Sequence, residues 1–356
     1  MVAGLKGVAF LDDDEMVTSS STENEVYLIS KGGRKIVGKA SLGKGKRIES
    51  LCVVPGTKRV LVATSGGKPD FCRRPATEAV PPQVADGDGT VCDVDFAKDP
   101  PTVNCVATSE HFEGPPPRLT SVAAWDESSC FVAGAVKDEK YKCSVRHVDL
   151  KSAHISEATV LDATMIRALL AEKDKGRLLV GVVQNFESTR PGGDDEDGSD
   201  DKALEAKHTD LVALYPDSDV APKTLATVDF FVHVIAKHPK EADTYVLLRR
   251  HSANASTPVA VVVRLAKGGG KTCSATKYVA TLQIEKKGTL SLNSYSSWMA
   301  YVFGYRAGRE HALAVCPDGE HIVTGCVHKS SKGILQVWGL EVAPPGETLP
   351  PSGCLP

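Results

Sequence analysis

The chain has few of the signatures that mark catalysis. None of its ten cysteines forms a Cys-x-x-Cys pair, and neither a Gly-x-Ser-x-Gly elbow nor a His-Glu-x-x-His segment occurs. These absences remove the spaced-cysteine zinc and thioredoxin-type sites, the α/β-hydrolase nucleophile and the zincin proteases. Strong charge of one sign is also missing: the net charge is −3. Six acids lie in Asp194-Asp195-Glu196-Asp197-Gly198-Ser199-Asp200-Asp201, and without them the remainder would carry +3. That leaves no strongly basic face for direct nucleic-acid binding. No apolar run is long enough for a signal peptide or a membrane span. Asn254-Ala255-Ser256 matches a glycosylation acceptor, which without a secretory signal is expected to be idle.

The cysteines (Cys52, Cys72, Cys92, Cys105, Cys130, Cys143, Cys273, Cys316, Cys326 and Cys354) mostly sit inside apolar runs, where cysteine behaves as a small hydrophobe. Over 356 residues this pattern fits a reducing, cytoplasmic or nuclear setting better than a disulfide framework. The chain is 42% hydrophobic, enough for a large core.

Short apolar runs separated by turn chemistry fill that core. In EHALAVCPDGEHIVTGCVHKSSKGILQVWGLE, residues 310–341, three runs are split by Pro317-Asp318-Gly319 and by Ser330-Ser331-Lys332-Gly333. Proline presets φ and glycine tolerates positive φ, so both separators predict turns and the whole predicts an antiparallel meander. The rhythm returns from the start of the chain. Strands are predicted at 7–11, 16–20, 26–30 and 39–42, then at 48–54, 60–65, 90–96 and 103–109. They continue at 119–125, 131–136, 144–150 and 158–161, then at 166–171, 178–183, 211–215 and 223–228. A fifth group covers 232–238, 245–249, 259–265 and 278–284. Residues 259–263 are valine at every position but Ala260, as in a strand buried on both faces. Residues 290–295 and 298–305 read as an eroded further repeat, and a short helix is possible at 203–207.

The last repeat resembles one unit of the WD-repeat β-propellers. It has the Pro317-Asp318-Gly319 turn, a strand ending in Thr324-Gly325, and a strand closing on Val337-Trp338. The other repeats match in periodicity alone. The resemblance implies an all-β fold: a single β-propeller of four-stranded antiparallel blades over residues 1–343, followed by a Pro-rich tail at 344–356. Repeats of about 40–45 residues favour seven blades over six. Thr324 and Trp338 fit two places of the family's hydrogen-bonded tetrad. No aspartate lies in the second turn, and His311 is too near the first strand to be the family's histidine, so blade burial is expected to replace the tetrad.

Such folds mostly hold partners together, and the resemblance implies a non-enzymatic scaffold in a larger cytosolic or nuclear assembly, with protein partners and no cofactor. Loops 66–89 and 185–208 are long enough to carry contacts. The first holds Phe71, Arg73 and Arg74, residue types enriched at interface hot spots. The second carries the acidic run, read as a disordered insertion; its spacing does not fit an EF-hand. A second reading is a hydrolase- or lactonase-like propeller with a site in the central channel, where the inner strands offer Glu49, Arg167, His233 and His311. A third is a phosphoinositide- or membrane-recruited propeller, for which Arg249-Arg250 is the pair in question. Lys267-Gly268-Gly269-Gly270-Lys271-Thr272 lacks the first glycine of a phosphate loop and reads as a hairpin loop. Cys316, Cys326 and His328 read as two core residues and a rim histidine rather than a zinc set.

Overall fold

The computed structural model describes residues 5–20, 24–30, 35–43, 46–66, 89–107, 119–135, 142–163, 165–186, 206–249, 260–265, 270–271, 276–284, 290–293, 310–327 and 333–340. Strands are numbered β1 to β25 in chain order. Blade 1 is β1 (Leu5–Phe10), β2 (Glu15–Ser20), β3 (Glu25–Ser30) and β4 (Lys35–Ser41). Blade 2 is β5 (Lys46–Val53), β6 (Arg59–Gly66), β7 (Thr90–Asp95) and β8 (Thr102–Ala107). Blade 3 is β9 (Leu119–Ala124), β10 (Ser129–Ala135), β11 (Lys142–Asp149) and β12 (Thr159–Asp162). Blade 4 is β13 (Met165–Glu172), β14 (Arg177–Phe186), β15 (Ala206–Leu214) and β16 (Lys223–Val228), with a 3-10 turn at Lys173–Lys175. Blade 5 is β17 (Val232–Lys237), β18 (Thr244–Arg249), β19 (Ala260–Arg264) and the two-residue β20 (Gly270–Lys271). In each, sequential strands pair antiparallel from the inner strand outward.

Blade 6 breaks the order. Its inner strands are β23 (Glu310–Val315), β24 (His321–Val327) and β25 (Gly333–Leu340). Its outer strands, β21 (Thr276–Ile284) and β22 (Leu290–Asn293), precede them in the chain, giving the order β22-β21-β25-β24-β23. β1 packs against β23, so the ring closes with six blades, not the seven favoured by repeat length. Residues 278–284 were expected to finish blade 5 but pair with β25. Of the stretch expected to be an eroded blade, only β22 is described, and it lies at the edge of blade 6. Repeat length overestimates the blade number because β21 and β22 join blade 6 instead of completing blade 5 or starting another blade. The expected helix is also corrected where it is described: β15 begins at Ala206.

The core is six clusters, one per seam. Val17, Val26 and Leu28 of blade 1 meet Ile48, Val60 and Val62 of blade 2. Leu61 and Ala63 of β6 turn the other way, onto Leu119, Val122 and Val132 of blade 3. Equivalent clusters fill the seams from blade 3 round to blade 1. Side chains alternate across a strand, so a strand clamped between two neighbours buries both faces. β19 shows this: Ala260 and Val262 face blade 6, while Val261 and Val263 face blade 4.

One expectation about cysteine is overturned. Cys130, Cys143 and Cys316 are buried small residues as read, but Cys92 and Cys105 form a disulfide. The pair is directly opposed across β7 and β8, with a Cα–Cα distance of 4.0 Å. Their separation of 13 residues matches no spacing motif; only the strand register reveals it.

Candidate functional site

The ends of the strands divide the molecule into two faces. Turns from first to second strand, and from third to fourth, lie on one face. Connections from second to third strand, and from blade to blade, lie on the other. The anchors of both long loops, Gly66 and Thr90, and Phe186 and Ala206, therefore share one rim. Phe71, Arg73, Arg74 and the acidic run lie outside the described residues.

The central channel is built by one recurrent device. Each inner strand carries a register shift against its neighbour, and each shift isolates one residue: Lys6, Glu49, Thr120, Arg167, His233 and His311. A bulge inserts an extra residue and re-aims a side chain. Five of the six line a single cavity of about 50 Å³ together with Gly7, Val8, Ser50, Leu51, Val234, Ala312 and Leu313. His311 lies on β23, but its side chain is outside the described ones. Sequence reading named Glu49, Arg167, His233 and His311; it missed Lys6 and Thr120. Their signal is a polar residue directly before a small or branched one, second in β1, β9, β17 and β23, third in β13 and fourth in β5.

Glu49 is held on all sides. Its side chain is only 9% exposed, and its Oε1 lies 3.1 Å from Arg47 Nε. Its Oε2 lies 3.4 Å from Arg167 Nη1, and Ser65 Oγ donates to Oε1 at 2.8 Å. A carboxylate with its lone pairs so engaged is an ion-pair anchor across blades 2 and 4 rather than an idle base. Small-molecule sites generally enclose about 300–1,000 Å³. This cavity is several-fold smaller and holds little more than water.

The turn face carries a belt of polar contacts from blade to blade. Lys58 Nζ reaches Glu15 Oε2 at 2.8 Å, and Arg59 Nη1 donates to the Glu127 carbonyl at 2.6 Å. Lys173 Nζ meets Asp126 Oδ2 at 2.8 Å. Asp126 also accepts from Ser128 and Ser129; burial pushes its carboxyl up, but the bond from Lys173 and then those from Ser128 and Ser129 outweigh it and hold the carboxyl below the ordinary range.

Between blades 4 and 5 the contacts form a buried network. Glu172, with a side chain 0% exposed, accepts from Lys175 at 2.8 Å, Arg177 at 2.7 Å and the Tyr245 hydroxyl at 2.8 Å. Lys175 also meets Asp243 at 2.6 Å, and Lys237 meets Asp174 at 3.1 Å. Burial pushes the Glu172 carboxyl up, but hydrogen bonds from Lys175, Tyr245 and Arg177 and the Arg177 charge outweigh it and hold it down. Burial and the bond to Glu172 push the Tyr245 phenol up.

Between blades 5 and 6, buried His238 accepts from the Lys240 and Glu241 amides through Nδ1, at 3.3 and 3.1 Å. Nε2 therefore carries the proton and donates to the Gly319 carbonyl at 3.0 Å. That carbonyl belongs to the Pro317-Asp318-Gly319 turn, where Asp318 caps the Glu320 and His321 amides. One tetrad bond is also present: the Trp338 indole N–H donates to Thr324 Oγ1 at 3.0 Å.

The remaining sequence candidates fall as follows. Cys316 is buried, while the Cys326 side chain and His328 lie outside the described residues. Among the described residues no cluster of three or more His, Cys, Asp or Glu is placed to hold a metal. Within 267–272 only Gly270 and Lys271 are described, as the edge strand β20. Arg249 ends β18, and Arg250 and Asn254–Ser256 lie outside the described residues. No described helix is long and apolar enough to cross a membrane.

No family model and no curated protein matches this chain. Solved structures do match in shape. A luciferin-regenerating enzyme superposes at TM-score 0.54 with 7% identity, over 95% of this chain and 91% of that one. A chain in the crystal structure of a mitotic checkpoint complex superposes at TM-score 0.50 with 11% identity, over 94% and 86%. One neighbour is an enzyme and the other belongs to a complex, so the shared ring does not decide between these roles. By fold, the chain is a six-bladed β-propeller whose last blade is similar to a WD repeat.

Proposed function

We propose that this propeller is a non-enzymatic platform that holds protein partners within a larger cytosolic or nuclear assembly, through the rim from which its two long loops depart. The observation that carries this reading is the small, ion-paired cavity of the channel. Its one described carboxylate is tied into an ion-pair anchor, and about 50 Å³ is several-fold below the volume that small-molecule sites generally enclose. Function then falls to loops on a rigid ring. Phe71, Arg73 and Arg74 in the 66–89 loop are the proposed contact residues. The test is quantitative affinity purification of the wild type and of a Phe71→Ala/Arg73→Glu/Arg74→Glu variant. Partners held at stoichiometric levels by the wild type and lost by the variant support the reading; identical partner profiles, or none, refute it.

The ring of bulges favours a second reading, a small-ligand or hydrolytic site in the channel, because five of the six bulged polar residues line one cavity. A hydrolase and lactonase substrate panel run with wild type and Glu49→Gln separates the two. Turnover abolished by Glu49→Gln establishes the channel reading and removes the first.

A further inference from the structure

The Cys92–Cys105 bond sits where it can be made and broken without loss of the blade. β7 and β8 are paired from Thr90–Ala107 to Asp95–Thr102, so six residue pairs hold the outer strand whether or not the sulfurs are joined. The outer strands β4, β12 and β16 are held by such ladders, with no disulfide among the described residues. Cys105 lies half-buried on the edge strand, at the margin of the core shared by blades 1 and 2. Cys92 is fully buried, with the Thr90 hydroxyl 3.4 Å and the Lys46 ammonium 3.8 Å from its sulfur. The two cysteines are therefore unlike: Cys105 is the less buried and lies on the outer strand, whereas the Cys92 sulfur is buried beside a cation. Desolvation holds Lys46 below the ordinary lysine value, a cost that an anionic sulfur beside it would offset.

We propose that Cys92 and Cys105 are a reversible thiol–disulfide pair, in which Cys105 is the attacked sulfur and Cys92 the leaving thiolate, received beside Lys46. The reductant is a small thiol of the glutathione class. Its thiolate attacks Cys105 Sγ, the S–S bond breaks, and the electron pair goes to Cys92 Sγ. A second thiolate then attacks the mixed disulfide, releasing the Cys105 thiolate, which takes a proton, and the oxidised small-molecule disulfide. Two thiols thus supply the two electrons. A cation beside the leaving sulfur lowers its proton affinity, and a better leaving thiol departs faster. Thr90 opens β7 at the end of the 66–89 loop, and Lys46 is paired with Gly66 at that loop's start. The redox state of the pair therefore sets how firmly that rim of blade 2 is clamped.

The test is thiol trapping and mass mapping of the full-length protein equilibrated across reduced and oxidised glutathione ratios, with amide hydrogen exchange on the end states. Expected are a reversible change at Cys92 and Cys105, faster exchange in residues 102–107 of the reduced form, and unchanged exchange in blade 3. Lys46→Gln should slow reduction by about threefold or more, because the leaving sulfur loses its cation. Cys105→Ser should remain folded and match the reduced protein in exchange. A bond that survives excess dithiothreitol in the folded protein, one that never forms under oxidised glutathione, or an unchanged reduction rate in Lys46→Gln overturns the proposal.

Discussion

Replacing Glu172 by glutamine tests whether the seam between blades 4 and 5 is held by charge. In the native seam, three acids (Glu172, Asp174 and Asp243) face three cations (Lys175, Arg177 and Lys237), so the set is neutral. Its members are not equally wet. The Glu172 side chain is 0% exposed and that of Asp174 is 63% exposed. Removing one partner of a buried pair leaves uncompensated charge and costs about 3–5 kcal/mol. Removing an exposed one costs about 0–1 kcal/mol. Glu172→Gln keeps the shape and removes only the charge, so it should cost about 3–5 kcal/mol near pH 7, and Asp174→Asn under about 1 kcal/mol. The pH dependence follows from the depressed Glu172 carboxyl. A depressed acid contributes stability above its unfolded value of about 4.5, and the contribution is lost as pH falls through the lower folded value. The gap between wild type and Glu172→Gln should thus be level from pH 6 to 8 and shrink below about pH 4.5. Urea denaturation at a series of pH values measures both. A gap below 1 kcal/mol at pH 7, a gap that widens in acid, or an equal cost for Asp174→Asn refutes the reasoning.

Three further substitutions probe other seams. Gly319 has φ +70, and a Cβ there would lie 2.9 Å from His238 Cε1, so Gly319→Ala should cost about 1–3 kcal/mol in thermal or urea unfolding. Thr324→Val removes the Oγ1 that accepts from the Trp338 indole and should cost about 1–3 kcal/mol, with a shift in tryptophan emission; an unchanged spectrum would mean the bond is not formed in solution. A Cβ on Gly7 would lie 2.3 Å from Leu51 Cγ across the first seam, so Gly7→Ala should destabilise by about 1–3 kcal/mol, and adding Leu51→Ala should be less than additive.

The strands of blades 1 to 4 were legible because apolar runs, turn residues and strand ends coincide there. In blade 5 the run 259–263 already announced a strand buried on both faces, and β19 is divided between two seams. What misled was adjacency. Residues 278–284 have the pattern of the next strand in blade 5, and nothing local says that their partner is Gln336 and its neighbours, more than fifty residues on. The site was half legible for a related reason. Glu49, Arg167 and His233 stood out as polar residues on inner strands, whereas Lys6 and Thr120 gain meaning only once six bulges align. Glu172 was hidden just after the run Leu169-Leu170-Ala171 and before Lys173-Asp174-Lys175, where a charged residue is unremarkable. Its partner Tyr245, and Asp243 with which it shares Lys175, lie some seventy residues away.

Cross-linking mass spectrometry of the chain in its native assembly tests the platform account most directly, because lysines mark both faces. Lys46 and Lys142 begin strands at the loop-bearing rim, while Lys98, Lys151 and Lys240 lie in turns on the opposite face. The account predicts partner cross-links concentrated at Lys46 and Lys142. Cross-links confined to Lys98, Lys151 and Lys240 would contradict it.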